Sequence, residues 1–269
     1  MALDQPPIAQ HEIEVGPLPF GDDYEDGYLF AVWLKLITTD NLSLDYHTRT
    51  ALTLMQAVEN GYGGGNWATF SPEAITYEGL RRNIYVFSAA KQYQQVRSLS
   101  AFINQLGEAA QYNEFKKLAQ GVFQNYNENY LRTEFRTAVR QSQAARDWLQ
   151  IEADQEVFPL LQYNTQNDPL VRPEHQDLEG TVKPVNDSFW SYYYPPNGWN
   201  CRCFTSRLQE GQADVSPDPE PNLDDYPELF RMNAGKDKMV FNPAKHPYFK
   251  IAKGDGPLKR ANFNLPVPE

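Results

Sequence analysis

The chain has 269 residues, 41% of them hydrophobic, with 20 prolines, a net charge of −11 and a mean hydropathy of −0.63. A chain of this length can bury a substantial core in one large or two small domains, and no apolar run reaches the roughly 20 residues that a membrane span requires. The acidic balance argues against general nucleic-acid binding, which rewards surplus lysine and arginine on the phosphates. The first residues lack the basic start and apolar centre of a secretion signal. The two cysteines, Cys201 and Cys203, stand too close in sequence to bridge readily and have no third to pair with. Synthesis in a reducing cytoplasm is therefore expected. The charge is uneven: residues 1–80 carry 2 basic and 12 acidic side chains, residues 81–150 carry 10 and 5, and residues 151–269 carry 12 and 18. Only the middle segment can present a basic face.

Residues 1–27 are rich in proline and acid and read as an extended N-terminal arm, unable to bury enough apolar surface to fold alone. From Tyr28 to Ile37 and from Leu42 to Val58 the apolar residues take helical spacings, with Leu44, His47, Ala51, Leu54, Met55 and Val58 on one face of the second element. His47 within that stripe is expected to be a core residue rather than a ligand. Gly61, Gly63, Gly64 and Gly65 end the helix; no Lys-Ser or Lys-Thr follows, so they read as a turn and not a phosphate loop. Ser71 as N-cap with Pro72 behind it opens the most strongly helical region. A long helix is expected over about Phe115 to Ile151, with room for one break near Gly121.

Along that helix Arg132, Arg136 and Arg140 recur every fourth residue, forming a basic ridge that could meet the phosphates of nearby DNA without reading sequence. The plainer reading is a solvated face with Glu128 and Arg132 paired one turn apart. After Glu156 strands are expected over Val157–Thr165, Gly180–Val185 and Cys201–Leu208, with one helical turn at Pro173–Leu178. Residues 209–225 read as an acidic, proline-rich linker before an extended tail carrying one ordered patch at Met239–Phe249. The fold class expected is α+β: a long-helix framework over 28–152 and a small β-containing unit over 153–208, flanked by arms at 1–27 and 209–269.

Chemistry concentrates between Asp168 and Cys203. Two thiols and an imidazole are the donors zinc prefers, so His175, Cys201 and Cys203 form a candidate metal set, with His246 as a further donor. The spacing is incomplete beside zinc ribbons, which supply paired ligands at both ends, and reduced cysteines in a small aromatic core are the competing reading. A hydrolase or nuclease-like enzyme using His175 with Cys201 or Cys203 is the catalytic alternative. The sequence shows no nucleophile elbow to support it.

The blocks Phe87-Ser88-Ala89-Ala90-Lys91, Tyr126 to Phe135, Trp148, Leu161 to Thr165, Val171 to His175 (with Arg172 and Glu174), Leu178-Glu179-Gly180 and Asp187 to Trp190 occur in order. They end in Pro195-Pro196-Asn197-Gly198-Trp199-Asn200-Cys201-Arg202-Cys203. In this the sequence resembles the phage Mu F-type head morphogenesis proteins, also called minor head or minor capsid proteins, over about residues 28 to 208. The resemblance implies a non-enzymatic virion protein, made in the host cytoplasm, that associates with the portal or major capsid protein. It would act in head assembly, DNA packaging or ejection, in non-specific contact with packaged DNA and without a membrane. Some relatives look to carry a Cys-x-x-Cys upstream and a histidine just before the Cys-x-Cys. This chain has neither, so at most a three-ligand zinc site is implied and no other cofactor.

Overall fold

In the computed structural model, residues 13–107, 111–217 and 222–268 are described. They divide into two compact units. One comprises the described part of Met1–Glu14 with Ala57–Leu80 and Arg136–Lys245, and the other Val15–Gln56, Arg81–Phe135 and His246–Glu269. Five substantial helices supply the framework: α1 (Asp22–Trp33), α2 (Leu44–Tyr62), α3 (Pro72–Leu106), α4 (Tyr112–Gln124) and α5 (Leu131–Ala153). Of these, α2, α3 and α5 contribute residues to both units.

The starts of these helices follow local chemistry. The Ser71 hydroxyl accepts from the Ala74 amide at 3.2 Å, with Pro72 beginning α3, so an otherwise orphaned first-turn donor is satisfied. The α4 start carries a reciprocal capping box between Gln111 and Glu114. Between α4 and α5 the chain continues as a π-helical stretch, Asn125–Tyr130. The irregularity therefore lies there and not at Gly121, and the Asn127 it carries is buried, accepting from the Tyr46 hydroxyl at 2.5 Å.

Two expectations about the termini need correction. Helix α1 begins at Asp22, inside the stretch read as an extended arm, and Ile13 is buried; residues 1–12 lie outside the described residues. Asp22, Asp23 and Glu25 occupy the first turn of α1, where the helix dipole favours negative charge. The C-terminal region is likewise packed rather than extended: Tyr226, Phe230, Met232, Val240 and Phe241 are buried in the first unit, and Phe249, Phe263 and Leu265 in the second. Its aromatic residues bury enough surface to outweigh the extended bias of its prolines. Leu44, placed on the core stripe by its spacing, is 56% exposed, whereas His47 is fully buried with Nε2 3.0 Å from the Tyr85 carbonyl.

The second unit is centred on a buried ion pair. Lys91 of α3 donates to Glu134 of α5 at 2.5 Å, their side chains 0% and 3% exposed. The Tyr248 hydroxyl adds a 2.8 Å hydrogen bond to the same carboxylate. The Lys91 ammonium also lies over the rings of Tyr126 and Tyr248, at 5.9 and 5.8 Å from their centroids.

The first unit holds the sheet. Its strands are β1 (Leu160–Asn164), β2 (Val182–Pro184) and β3 (Phe204–Leu208), antiparallel in the order β2-β1-β3. Leu161 faces Lys183 on one side and Arg207 on the other, which fixes the register. Between β1 and β2 lies the single turn α6 (Pro173–Gln176), begun by a proline in its first turn. The cysteines precede β3 instead of opening it, so the strand expected over Cys201–Leu208 is shorter at its start.

Candidate metal centre

The segment from Asp168 to Cys203 is closed on itself at both ends. Asp168 takes a two-pronged ion pair from Arg202, at 2.6 and 2.5 Å, and the Gln166 amide donates to the Arg202 carbonyl at 3.0 Å. The guanidinium holds the Asp168 carboxyl below its ordinary range through those hydrogen bonds. Arg172, just before α6, donates to the Trp199 carbonyl at 2.6 Å. A Cβ on Gly198 would come within 3.0 Å of that guanidinium, so glycine is what lets the two segments approach.

The aromatic turn is fastened to the sheet and to α5. Buried Asn197 accepts from the Tyr163 hydroxyl of β1 at 3.0 Å, and its amide faces the carbonyls of Tyr192 and Tyr194 at 3.5 and 3.4 Å. Gln141 of α5 donates to the Pro196 carbonyl at 3.3 Å, and the Tyr194 hydroxyl donates to the Ala144 carbonyl at 3.2 Å. Trp190 is fully buried, its indole N–H on the Pro184 carbonyl at 3.0 Å. The Pro195-Pro196 bond is cis. Trp199 packs edge-on against Phe230. Gly180, entering β2, has φ +76°, a conformation that costs a residue with a Cβ. The Glu174 carbonyl accepts a hydrogen bond from the Tyr226 hydroxyl.

This clamp delivers the cysteines to His175. Asn200 adopts φ +57°, which asparagine tolerates, and turns the chain before Cys201. His175 Nδ1 lies 3.6 Å from the Cys201 sulfur and 3.5 Å from the Cys203 sulfur, and all three side chains are buried. Their donor atoms fall within 4.8 Å of one another. His175 Nε2 is buried without a hydrogen-bond partner among the described residues, and the ring stacks on Tyr226. Burial raises the Cys201 thiol, but hydrogen bonds from Cys203 and His175 and the imidazole charge outweigh it and hold that thiol well below its ordinary value. Cys203 moves the other way, raised by its hydrogen bond to Cys201 and then by burial.

Other sequence-derived candidates part company here. His246 belongs to the second unit, where its Nδ1 accepts from the Tyr248 amide at 3.2 Å and its ring packs on Phe87. It is not among the converging donors. The arginine ridge does not form as one exposed surface: Arg132 is exposed, Arg136 half-buried and Arg140 only 6% exposed. Arg140 is lowered by burial, and the charges of Cys201 and Cys203 act on it in opposition. Arg140 therefore belongs to the surroundings of the cysteines and not to a phosphate-facing ridge. Periodicity along α5 carries no record of which distant segment covers it, and the Lys91–Glu134 pair, 43 residues apart, has no local signal either.

Among known proteins, a family model described as Phage Mu protein F like protein matches residues 50–206. Protein F of Escherichia phage Mu, whose name gives it to capsid assembly, is 38% identical over 73 residues, 27% of this chain and 17% of its own length. The FluMu F protein of a Mu-like prophage in Haemophilus influenzae is 31% identical over 110 residues, 40% of this chain and 27% of its own. The matched stretches are thus well under half of either relative. No solved structure matches.

Proposed function

Since the chain belongs to the phage Mu protein F-like family, we propose that it is a structural protein of a phage head, acting in head morphogenesis. The observation that carries this reading is the extent of the match: residues 50–206 run from within α2 to β3 and take in both the helical framework and the clamped Cys-x-Cys segment. The likeness to a relative named for capsid assembly supports the same role. We place the protein in the virion, against the portal or the inner face of the major capsid shell, with a part in DNA packaging or ejection. Contact with packaged DNA would rest on exposed Arg132 and half-buried Arg136, because Arg140 is withdrawn from solvent. A nucleophilic role for the cysteines is disfavoured by their burial, at 3% and 8% exposure, since an attacking sulfur must reach its substrate.

The test is co-expression of the full chain with the portal and major capsid proteins of the same phage, followed by sedimentation of assembled heads. The protein is expected to travel with heads or with the portal, and an amber mutant is expected to give empty or aberrant particles by electron microscopy. Normal, DNA-filled heads from the amber mutant, with the protein left in the soluble fraction, would overturn the proposal.

A further inference from the structure

The contacts among His175, Cys201 and Cys203 are poorly explained as hydrogen bonds alone. Whether it accepts or donates, the imidazole Nδ1 offers one direction in the ring plane and cannot serve two sulfurs equally well. Yet the two sulfurs stand at nearly the same distance from it, 3.6 and 3.5 Å. A shared ion accounts for that equality. With zinc–sulfur bonds of about 2.3 Å, zinc–nitrogen bonds of about 2.0–2.1 Å and tetrahedral angles, sulfur and nitrogen ligands should lie about 3.5–3.6 Å apart.

Charge points the same way. A dication in so buried a place needs neutralising partners, and two thiolates with a neutral imidazole supply the required charge. Each thiol gives its proton to solvent as its sulfur takes the ion. Among the described residues no carboxylate converges with the three donors, and Asp168 of the same segment is already held by Arg202. Beside the three donors lies a cavity of about 20 Å³, lined also by Gln166, Leu170 and Asn200. A space of that size holds one water, for which roughly 10–15 Å³ suffices.

We infer that His175 Nδ1, Cys201 Sγ and Cys203 Sγ bind a single thiophilic divalent cation, zinc by preference, with a water from this cavity in the fourth position. The ion joins α6 to the segment entering β3, adding to the bonds that Arg172, Asp168 and Gln166 before α6 make with that segment. Its place is structural, and the inference stands apart from the head-assembly role: either can fail without the other.

Metal analysis of the full chain, purified under reducing conditions without chelator, is expected to give about one zinc per chain, with both thiols shielded from Ellman's reagent until the protein is denatured. Cys203→Ser and His175→Asn are expected to lose the metal. Because those substitutions also remove buried side chains from the core, the wild-type protein carries the decisive measurement. Stripped of zinc and titrated with cobalt(II), it should develop thiolate-to-cobalt charge-transfer absorption and the intense visible bands of a four-coordinate ion, and azide should shift those bands by displacing the water. Failure of the reduced wild-type chain to take up zinc or cobalt, or a stable Cys201–Cys203 disulfide in the native protein, would overturn the site. Cobalt bands that ignore azide would overturn the open fourth position.

Discussion

Replacing Lys91 with methionine should cost the second unit far more than any surface charge it carries. Lys91 and Glu134 are 0% and 3% exposed and 2.5 Å apart, and methionine keeps the unbranched stem while deleting the ammonium. The Glu134 carboxylate would be left buried with the Tyr248 hydroxyl, at 2.8 Å, as its remaining described partner. Removing one member of a buried pair typically costs about 3–5 kcal/mol, because the survivor stays desolvated and uncompensated. For a protein of this size that is a fall in melting temperature of roughly 6–20 °C. The double variant Lys91→Met/Glu134→Gln removes the stranded charge, and its amide oxygen can still accept from Tyr248, so most of the loss should return. Asp45→Asn is the control. It breaks a pair with Arg49 at 2.9 Å whose side chains are 60% and 43% exposed, and should cost no more than about 0.5 kcal/mol. Urea unfolding followed by far-UV circular dichroism measures all three. A loss below about 1 kcal/mol for Lys91→Met, or a double variant no more stable than the single one, would show that the pair is not the desolvated centre described.

The same region sets an acid limit. Burial, and then the Lys91 charge, depress the His246 imidazole to about 4, below its unfolded value of about 6.5. The folded state therefore binds fewer protons than the unfolded one, and the stability from neutral His246 is complete above about pH 6.5 and lost as pH falls toward 4. Glu134 and Lys91 are the charged groups that face the same cluster. His246→Asn, which retains an acceptor for the Tyr248 amide, should flatten the dependence of urea midpoint on pH; an unchanged slope would assign it elsewhere. Two glycines should respond with opposite signs. A Cβ on Gly61 would run into the Val139 carbonyl of α5, whereas one on Gly121 in α4 meets nothing within 4 Å. Gly61→Ala should destabilise by about 1–3 kcal/mol through overpacking, and Gly121→Ala should stabilise by about 0.5–1 kcal/mol through lost unfolded-state entropy. Thermal melts of the two variants check both signs.

What the sequence made legible was whatever its own neighbourhood determines. Ser71-Pro72 announced the start of α3 because a hydroxyl cap and a fixed φ act within one turn. The three strands were placed to within a few residues because aromatic and β-branched runs between turn residues suit a pleated, half-buried surface. The convergence of His175 with Cys201 and Cys203 was anticipated from donor chemistry alone; its geometry depends on Asn197, Gly198 and Arg172, which sequence displayed as a motif without saying what each held. The failures share one cause. Arg140 looked solvated, the C-terminal region looked extended and the pairing of Lys91 with Glu134 passed unnoticed because burial there comes from segments tens of residues away. The acidic start of α1 was a missed local signal: Asp22, Asp23 and Glu25 suited a helix N-terminus as well as an arm.

Many residues of the blocks through which the sequence resembles its family are buried, and this bears on what such a likeness can report. Phe87, Ser88, Ala89, Ala90 and Lys91 are all fully buried, and Leu161, Tyr163, Phe189, Trp190 and Asn197 are nearly or wholly so. These side chains specify packing, hydrogen bonding and one ion pair; none is placed to touch a partner. Kinship in the core therefore supports a shared fold directly and a shared role only through it. The contacts proposed with a portal or shell would fall to exposed side chains, which packing does not constrain and which can differ among proteins with the same interior. The Asp168–Cys203 segment follows the same logic, since its most distinctive residues are spent on closing the segment against β1 and α5. A metal held by His175, Cys201 and Cys203 would be one more fastening in that closure, which is why its loss should be read first in stability and thiol protection.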